Sequence, residues 1–164
     1  MKRKVIKRNS YQKQKKSTDQ WCSRYIRLRD SIEFYKTRGK TTTPGEWVEC
    51  YTCGKLIETK YAQSGHWKSR GLGGHSGIYF DVRAIHTQCV QCNGFKQGAP
   101  DEYKAHLLED FNKANLDGQK VLDELEIKHK VGSYTLMELV GLVLFFRTEV
   151  EAMLEEYKIE KWWK

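Results

Sequence analysis

Two Cys-x-x-Cys pairs, Cys50-Tyr-Thr-Cys53 and Cys89-Val-Gln-Cys92, bracket Gly65-His66, and Asn93 follows the last cysteine directly. Thiolate pairs of this spacing can close a tetrahedral zinc site. A unit of about forty residues is too small to bury a sufficient core alone, so bound metal must contribute to its folding. Four sulfurs complete the zinc shell and leave His66 and Asn93 for other chemistry. A neutral imidazole, with an ordinary pKa of about 6.5, can deprotonate a water. An asparagine oxygen suits a hard cation such as Mg²⁺ or Mn²⁺, which also takes waters and phosphate oxygens. Together these groups suit phosphodiester hydrolysis. By residue type alone, a single histidine in a zinc module is more often structural.

The elements that must position these groups read as an α+β chain, mainly helical, with a small zinc-bound module between N-terminal and C-terminal helices. Residues 1–16 carry many like charges and almost no apolar side chains, the composition of a disordered basic arm. Ser17 to Gln20 resembles a capping box opening a helix. Trp21, Tyr25, Leu28, Ile32 and Tyr35 continue it at helical spacing, and a loop completes a segment over 17–46. The module spans 47–98, with strands expected at Lys60 to Trp67 and Ile78 to Val82 around a glycine-rich loop, and a helix through Asn93 and Lys96. Three helices follow Pro100 within 99–164. The last opens at a Thr135 to Glu138 capping box and is apolar on more than one face, so it needs a partner: its own domain or the same helix of a second chain.

Charge is uneven. Residues 1–40 hold fourteen Lys/Arg against three Asp/Glu, and residues 101–164 hold nine against fourteen. A basic head on an acidic tail suits a polyanion at one end. The first residues lack the apolar core of a secretion signal, so a reducing cytoplasm, where thiols stay available for zinc, is expected. Leu136 to Phe146 falls short of the roughly 18 apolar residues that span a bilayer, which argues against a membrane partner.

The order Cys-x-x-Cys, His, Cys-x-x-Cys-Asn resembles the ββα-metal, or HNH/HNN, endonucleases with a zinc-stapled core, endonuclease VII among them. Across about residues 18–127 the chain is more similar still to the lambdoid phage NinG/Rap family of recombination endonucleases. The shared phrases are Tyr25-Ile-Arg-Leu-Arg-Asp30, Gly65-His66-Trp67, Phe80-Asp81, Ile85-His86-Thr-Gln-Cys89, Asn93-Gly-Phe-Lys-Gln-Gly98 and Glu102-Tyr103. The resemblance implies a bacteriophage nuclease for branched DNA, of Holliday junction or D-loop type, acting in the host cytoplasm beside phage or host recombination proteins. It makes His66 the general base, Asn93 a ligand of a catalytic Mg²⁺ or Mn²⁺, and Cys50, Cys53, Cys89 and Cys92 the ligands of structural Zn²⁺.

Two positions depart from the wider pattern. Ala84 stands where HNH nucleases have an asparagine that orients the histidine, and Gly65 stands where endonuclease VII has a metal-binding aspartate. Asp81, His75 or His86 could supply a second ligand, and a carboxylate makes Asp81 the first choice; His86 could instead brace the knuckle. Arg24, Arg27, Arg29, Lys68, Arg70 and Lys96 are the candidate phosphate contacts, which position DNA without reading sequence. Trp67 is either core or a base-stacking wedge. Gly71, Gly73, Gly74 and Gly77 could let the loop follow a backbone closely. Gly65 and Ala84 keep open an alternative, a non-catalytic zinc module binding branched or single-stranded DNA. A sequence-specific nicking enzyme would need base-reading residues, and none stands out. Symmetric cutting of a junction calls for a homodimer, with the last helix as its expected interface.

Overall fold

In the computed structural model, residues 2–38, 41–68 and 76–163 are described, with side chains from Ser10 onward. The chain is mainly helical with two small antiparallel sheets, and it divides into two units. One contains Met1–Tyr25 and Tyr134–Lys164; the other is Ile26–Ser133.

The first unit holds the opening of helix α1 (Lys2–Thr37) and helix α4 (Leu136–Tyr157). Threonine and glutamate cap α4 reciprocally: Glu138 N donates to Thr135 Oγ1 at 3.2 Å and Thr135 N to Glu138 Oε2 at 2.6 Å. Leu139, Phe146, Val150 and Leu154 are its buried side chains. Tyr11 donates to the Tyr134 carbonyl, Thr18 to that of Leu139, and Tyr25 packs on Phe145 and Phe146. These contacts ascend both helices in step, so the two run parallel. They also correct the helix start expected at Ser17. The helix is already formed upstream, and Thr18 bonds Gln14 O in its interior rather than capping its end. The basic arm expected over 1–16 is likewise helical from Lys2. Side-chain bonds from Tyr11 and Gln14 offset the ordering that composition alone disfavours.

The second unit is built around the knuckles. Strands β1 (Trp47–Glu49) and β2 (Leu56–Glu58) form a hairpin, Val48 opposite Ile57, with the first Cys-x-x-Cys in its turn. Such short strands give no alternation long enough to read in sequence. Strand β3 (Gln63–His66) pairs with β4 (Ile85–Gln88), Gln63 opposite Gln88 and His66 opposite Ile85. The strand expected at Ile78 to Val82 is displaced to β4. Ile78, Tyr79 and Phe80 are buried in succession, whereas a half-buried strand would alternate, and they lie in turns closed by Tyr79 N to Ser76 O and Asp81 N to Ile78 O. Gly77 is needed for close packing here: a Cβ would lie 2.3 Å from Lys128 O.

Helices α2 (Pro100–Lys113) and α3 (Gly118–Lys130) complete the unit. Trp67, Ile78, Ala84, Tyr103, Leu107, Leu122 and Leu125 form its core. Trp67 is 3% exposed, which settles its place as core. Among the described residues, no helix is long and apolar enough to cross a membrane.

Candidate active site and metal centre

The four Sγ atoms of Cys50, Cys53, Cys89 and Cys92 all lie within 4.8 Å of one another. Bonds of about 2.3 Å around a tetrahedral zinc separate sulfurs by about 3.8 Å, and Cys53 and Cys89 are 3.9 Å apart. Cys89 N and the Thr52 hydroxyl lie 3.2 and 3.4 Å from Cys50 Sγ, and Cys92 N donates to Cys89 Sγ. Burial opposes ionisation of Cys50, but these hydrogen bonds outweigh it and lower its pKa to about 6. Burial and the neighbouring sulfurs push Cys92 up to about 12. The geometry is compatible with structural zinc.

Strand β3 links the two candidate catalytic residues. Asn93 lies in a π-helical turn, Gln91–Phe95, and its Nδ2 donates to Gln63 Oε1 at 2.7 Å where the strand begins. His66 ends the strand, and a Cβ on Gly98 would lie 3.7 Å from its carbonyl oxygen. The segment from Asn93 to Gly98 therefore borders β3 along its length. His66 Nε2 lies 3.0 Å from the Tyr79 carbonyl oxygen. A carbonyl only accepts, so Nε2 carries the proton and the lone pair of neutral imidazole falls on Nδ1, an atom buried from solvent in this structure. With its NH₂ on Gln63, the amide oxygen is the Asn93 atom that could face a cation.

Gly65 has a structural reason. A Cβ there would fall 1.9 Å from Gln88 Oε1, and Gln88 is fully buried with Nε2 donating to Thr52 Oγ1 and Gly98 O. Gly65→Ala and Gln88→Ala are each expected to destabilise the protein by about 1–3 kcal/mol, the first by overpacking against Gln88 Oε1 and the second by leaving Gly98 O and Thr52 Oγ1 without their donor. Thermal melts of the two variants measure this, and an unperturbed variant would contradict it.

Asp81 is engaged elsewhere: Oδ2 accepts from Arg83 at 2.8 Å and Lys128 at 2.9 Å, and Oδ1 from Arg83 Nε at 3.0 Å. Burial opposes ionisation, yet the two cations hold its pKa down at about 2. It ties down the turn that carries the Tyr79 carbonyl. His86 stacks on Tyr51 with ring centroids 4.0 Å apart, and its Nδ1 lies 3.2 Å from an Arg29 nitrogen. Burial lowers its pKa to about 4, the state of a neutral bracing side chain. His75 lies outside the described residues.

The expected phosphate contacts separate. Arg29 donates to Val82 O, Ile85 O and Asp30, bracing β4 from α1. Arg27 reaches the Lys60 and Ala62 carbonyls, and Arg24 stacks over Trp21 and Trp163 in the other unit. Lys68 pairs with Glu126 at 3.0 Å, Lys96 is exposed, and Arg70 lies outside the described residues. Sequence reasoning missed Gln63, Tyr79 and Gln88. A backbone carbonyl leaves no sequence signal, and neither Gln63 on Asn93 nor Gln88 on Gly65 is a register pair, since the strands set Gln63 opposite Gln88 and Gly65 opposite His86.

A family model described as "Bacteriophage Lambda NinG protein" matches residues 1–156. Proteins named ninG from Escherichia phage 933W, Salmonella phage P22 and Escherichia phage lambda are 33%, 33% and 30% identical over 91 residues, 56% of this chain. The aligned stretch spans about two fifths of each relative, 40–41% of its length. No solved structure matches.

Proposed function

The chain belongs to the bacteriophage lambda NinG protein family, and from that premise we propose that it is a divalent-metal-dependent endonuclease for branched DNA, with a zinc-stapled ββα-metal core. The observation that carries this reading is the 3.0 Å contact from His66 Nε2 to the Tyr79 carbonyl. It holds Nε2 as the donor and makes Nδ1, which is buried from solvent here, the acceptor nitrogen of neutral imidazole, without the orienting asparagine that Ala84 replaces.

In this mechanism the His66 imidazole takes a proton from a water, the water oxygen bonds to phosphorus, and the ester oxygen on the far side leaves. Nδ1 is closed off from solvent in the free chain, so the ring must turn or its cover must move when DNA binds. A Mg²⁺ or Mn²⁺ ion on the Asn93 amide oxygen would offset charge on the phosphate and the leaving oxygen. Gln63 holds the amide in register. Asp81 acts as a brace: two cations on its carboxylate are poor company for a metal. Lys68, Arg70 and Lys96 are the proposed phosphate contacts of this unit, whereas Arg27 and Arg29 serve its fold.

If Asn93 is a ligand, Asn93→Ala should raise the Mg²⁺ concentration for half-maximal cleavage about tenfold or more. A titration that leaves this concentration unchanged would remove Asn93 from the metal site.

The second reading, a non-catalytic zinc module that binds branched DNA, draws on Gly65. The buried Gln88 amide occupies the space an aspartate would need there. It predicts junction binding with no cleavage in either metal.

A homodimer through α4 is also proposed. Met137 and Leu144 are 76% and 63% exposed, with Gly141 between them at helical spacing. Leu144→Glu should convert a dimer to a monomer in sedimentation at micromolar concentration; a wild-type monomer would contradict this.

A further inference from the structure

With Trp67 in the core, the aromatic displayed beside the candidate site is Phe95, which is 84% exposed. It closes the turn that holds Asn93, and with Trp67, Lys68, Lys96, Gln97 and Pro100 it lines an open groove. The ring is presented by a backbone that has little freedom to withdraw it. Lys96 N donates to Gln91 O, Gly98 N to Cys92 O and Ala99 N to Lys96 O, while Gln88 clasps the Gly98 carbonyl. Gln97, Gly98 and Ala99 have φ of 52°, 92° and 48°, a left-handed run that costs energy at the two non-glycine positions. A pinned turn with a phenyl ring in water has neither the burial of a core residue nor the mobility of a loop tip.

The groove is also cationic. Lys96 adjoins the ring in sequence, and Lys68 Nζ is held 4.1 Å from the Trp67 ring centroid and 3.0 Å from Glu126. A phosphate would compete with Glu126 for that ammonium. A flat aromatic with flanking lysines matches a nucleobase and its phosphates. Bases within a duplex are already stacked on both faces, so the ring has a partner only where a base is unpaired.

We propose that Phe95 is a stacking platform for one unpaired nucleobase at a DNA branch point, with Lys68 and Lys96 on the adjoining phosphates. This rests on the reading that the chain acts on branched DNA, and it adds the feature that distinguishes a branch from a duplex.

The test is fluorescence anisotropy with a forked DNA carrying unpaired bases at the branch and a fully paired duplex of the same length. No Mg²⁺ or Mn²⁺ is added, so binding is read without cleavage. Phe95→Ala should weaken fork binding about tenfold, within the range for loss of a base–aromatic stack, and leave duplex binding unchanged, while Phe95→Trp restores the fork. A 2-aminopurine at the branch should be quenched by wild type and not by Phe95→Ala. Equal affinities of Phe95→Ala and wild type for the fork would overturn the proposal, as would equal losses on fork and duplex. A chain that binds this way and never cuts would sink the nuclease reading alone, and a cutting enzyme indifferent to Phe95 would sink this one alone. Melting temperature and zinc content should be unchanged by both substitutions, because the ring is 84% exposed.

Discussion

His66→Ala should lower the rate of junction cleavage by about 10²–10⁴-fold, the range general-base catalysis supplies, while junction affinity stays within about twofold. The separation follows from what the ring touches. Nε2 is tied to the Tyr79 carbonyl and Nδ1 is buried from solvent, so on the proposed reading truncation removes the base without removing a surface phosphate contact. Single-turnover cleavage and anisotropy on the same substrate separate the two effects. Equal losses in both would make His66 a binding residue, and the reaction would need another base.

Loss of the metal should have the largest effect on stability. Structural zinc contributes roughly 10–16 kcal/mol of apparent binding energy, as much as the whole stability of a typical domain, about 5–15 kcal/mol. Cys50 closes β1 and Cys89 follows β4 directly, so the four sulfurs join the two small sheets. Cys92→Ser or removal of zinc by a chelator is therefore expected to unfold the Ile26–Ser133 unit, read as a red shift of the tryptophan emission as buried Trp67 becomes exposed. One zinc per chain should be found by mass spectrometry. A chelated protein that melts at the same temperature as the untreated one would contradict the assignment.

The parts of the molecule that were legible in the sequence are those with a local cause. The two knuckles announce four ligands at fixed spacing, and their sulfurs do converge. Pro100 stands in the first turn of α2, and the Thr135–Glu138 box caps α4 through bonds made within a turn. What depended on distant partners was misplaced. Ile78 to Val82 has a strand's composition, yet its burial is met by α3 and the core, and the pairing with β3 passes to Ile85–Gln88. The opening of α1 has few apolar residues of its own, and its side chains donate to the backbone carbonyls of Tyr134, just ahead of α4, and of Leu139 within it. Asp81 looked like a ligand because a lone carboxylate shows nothing of Arg83 and Lys128 beside it. The family resemblance named His66 and Asn93, but the Tyr79 carbonyl and the Gln63 amide that orient them became visible only in the fold.

The central claim is that this site cuts branched DNA, and single-turnover incubation of the wild-type chain with a labelled four-way junction beside linear duplex of matching sequence, in Mg²⁺ and in Mn²⁺, tests it most directly. Cleavage confined to the junction and dependent on the added cation is the predicted result. Tight junction binding with both substrates left intact in either metal would contradict it and leave a zinc module that binds branched DNA without cutting it.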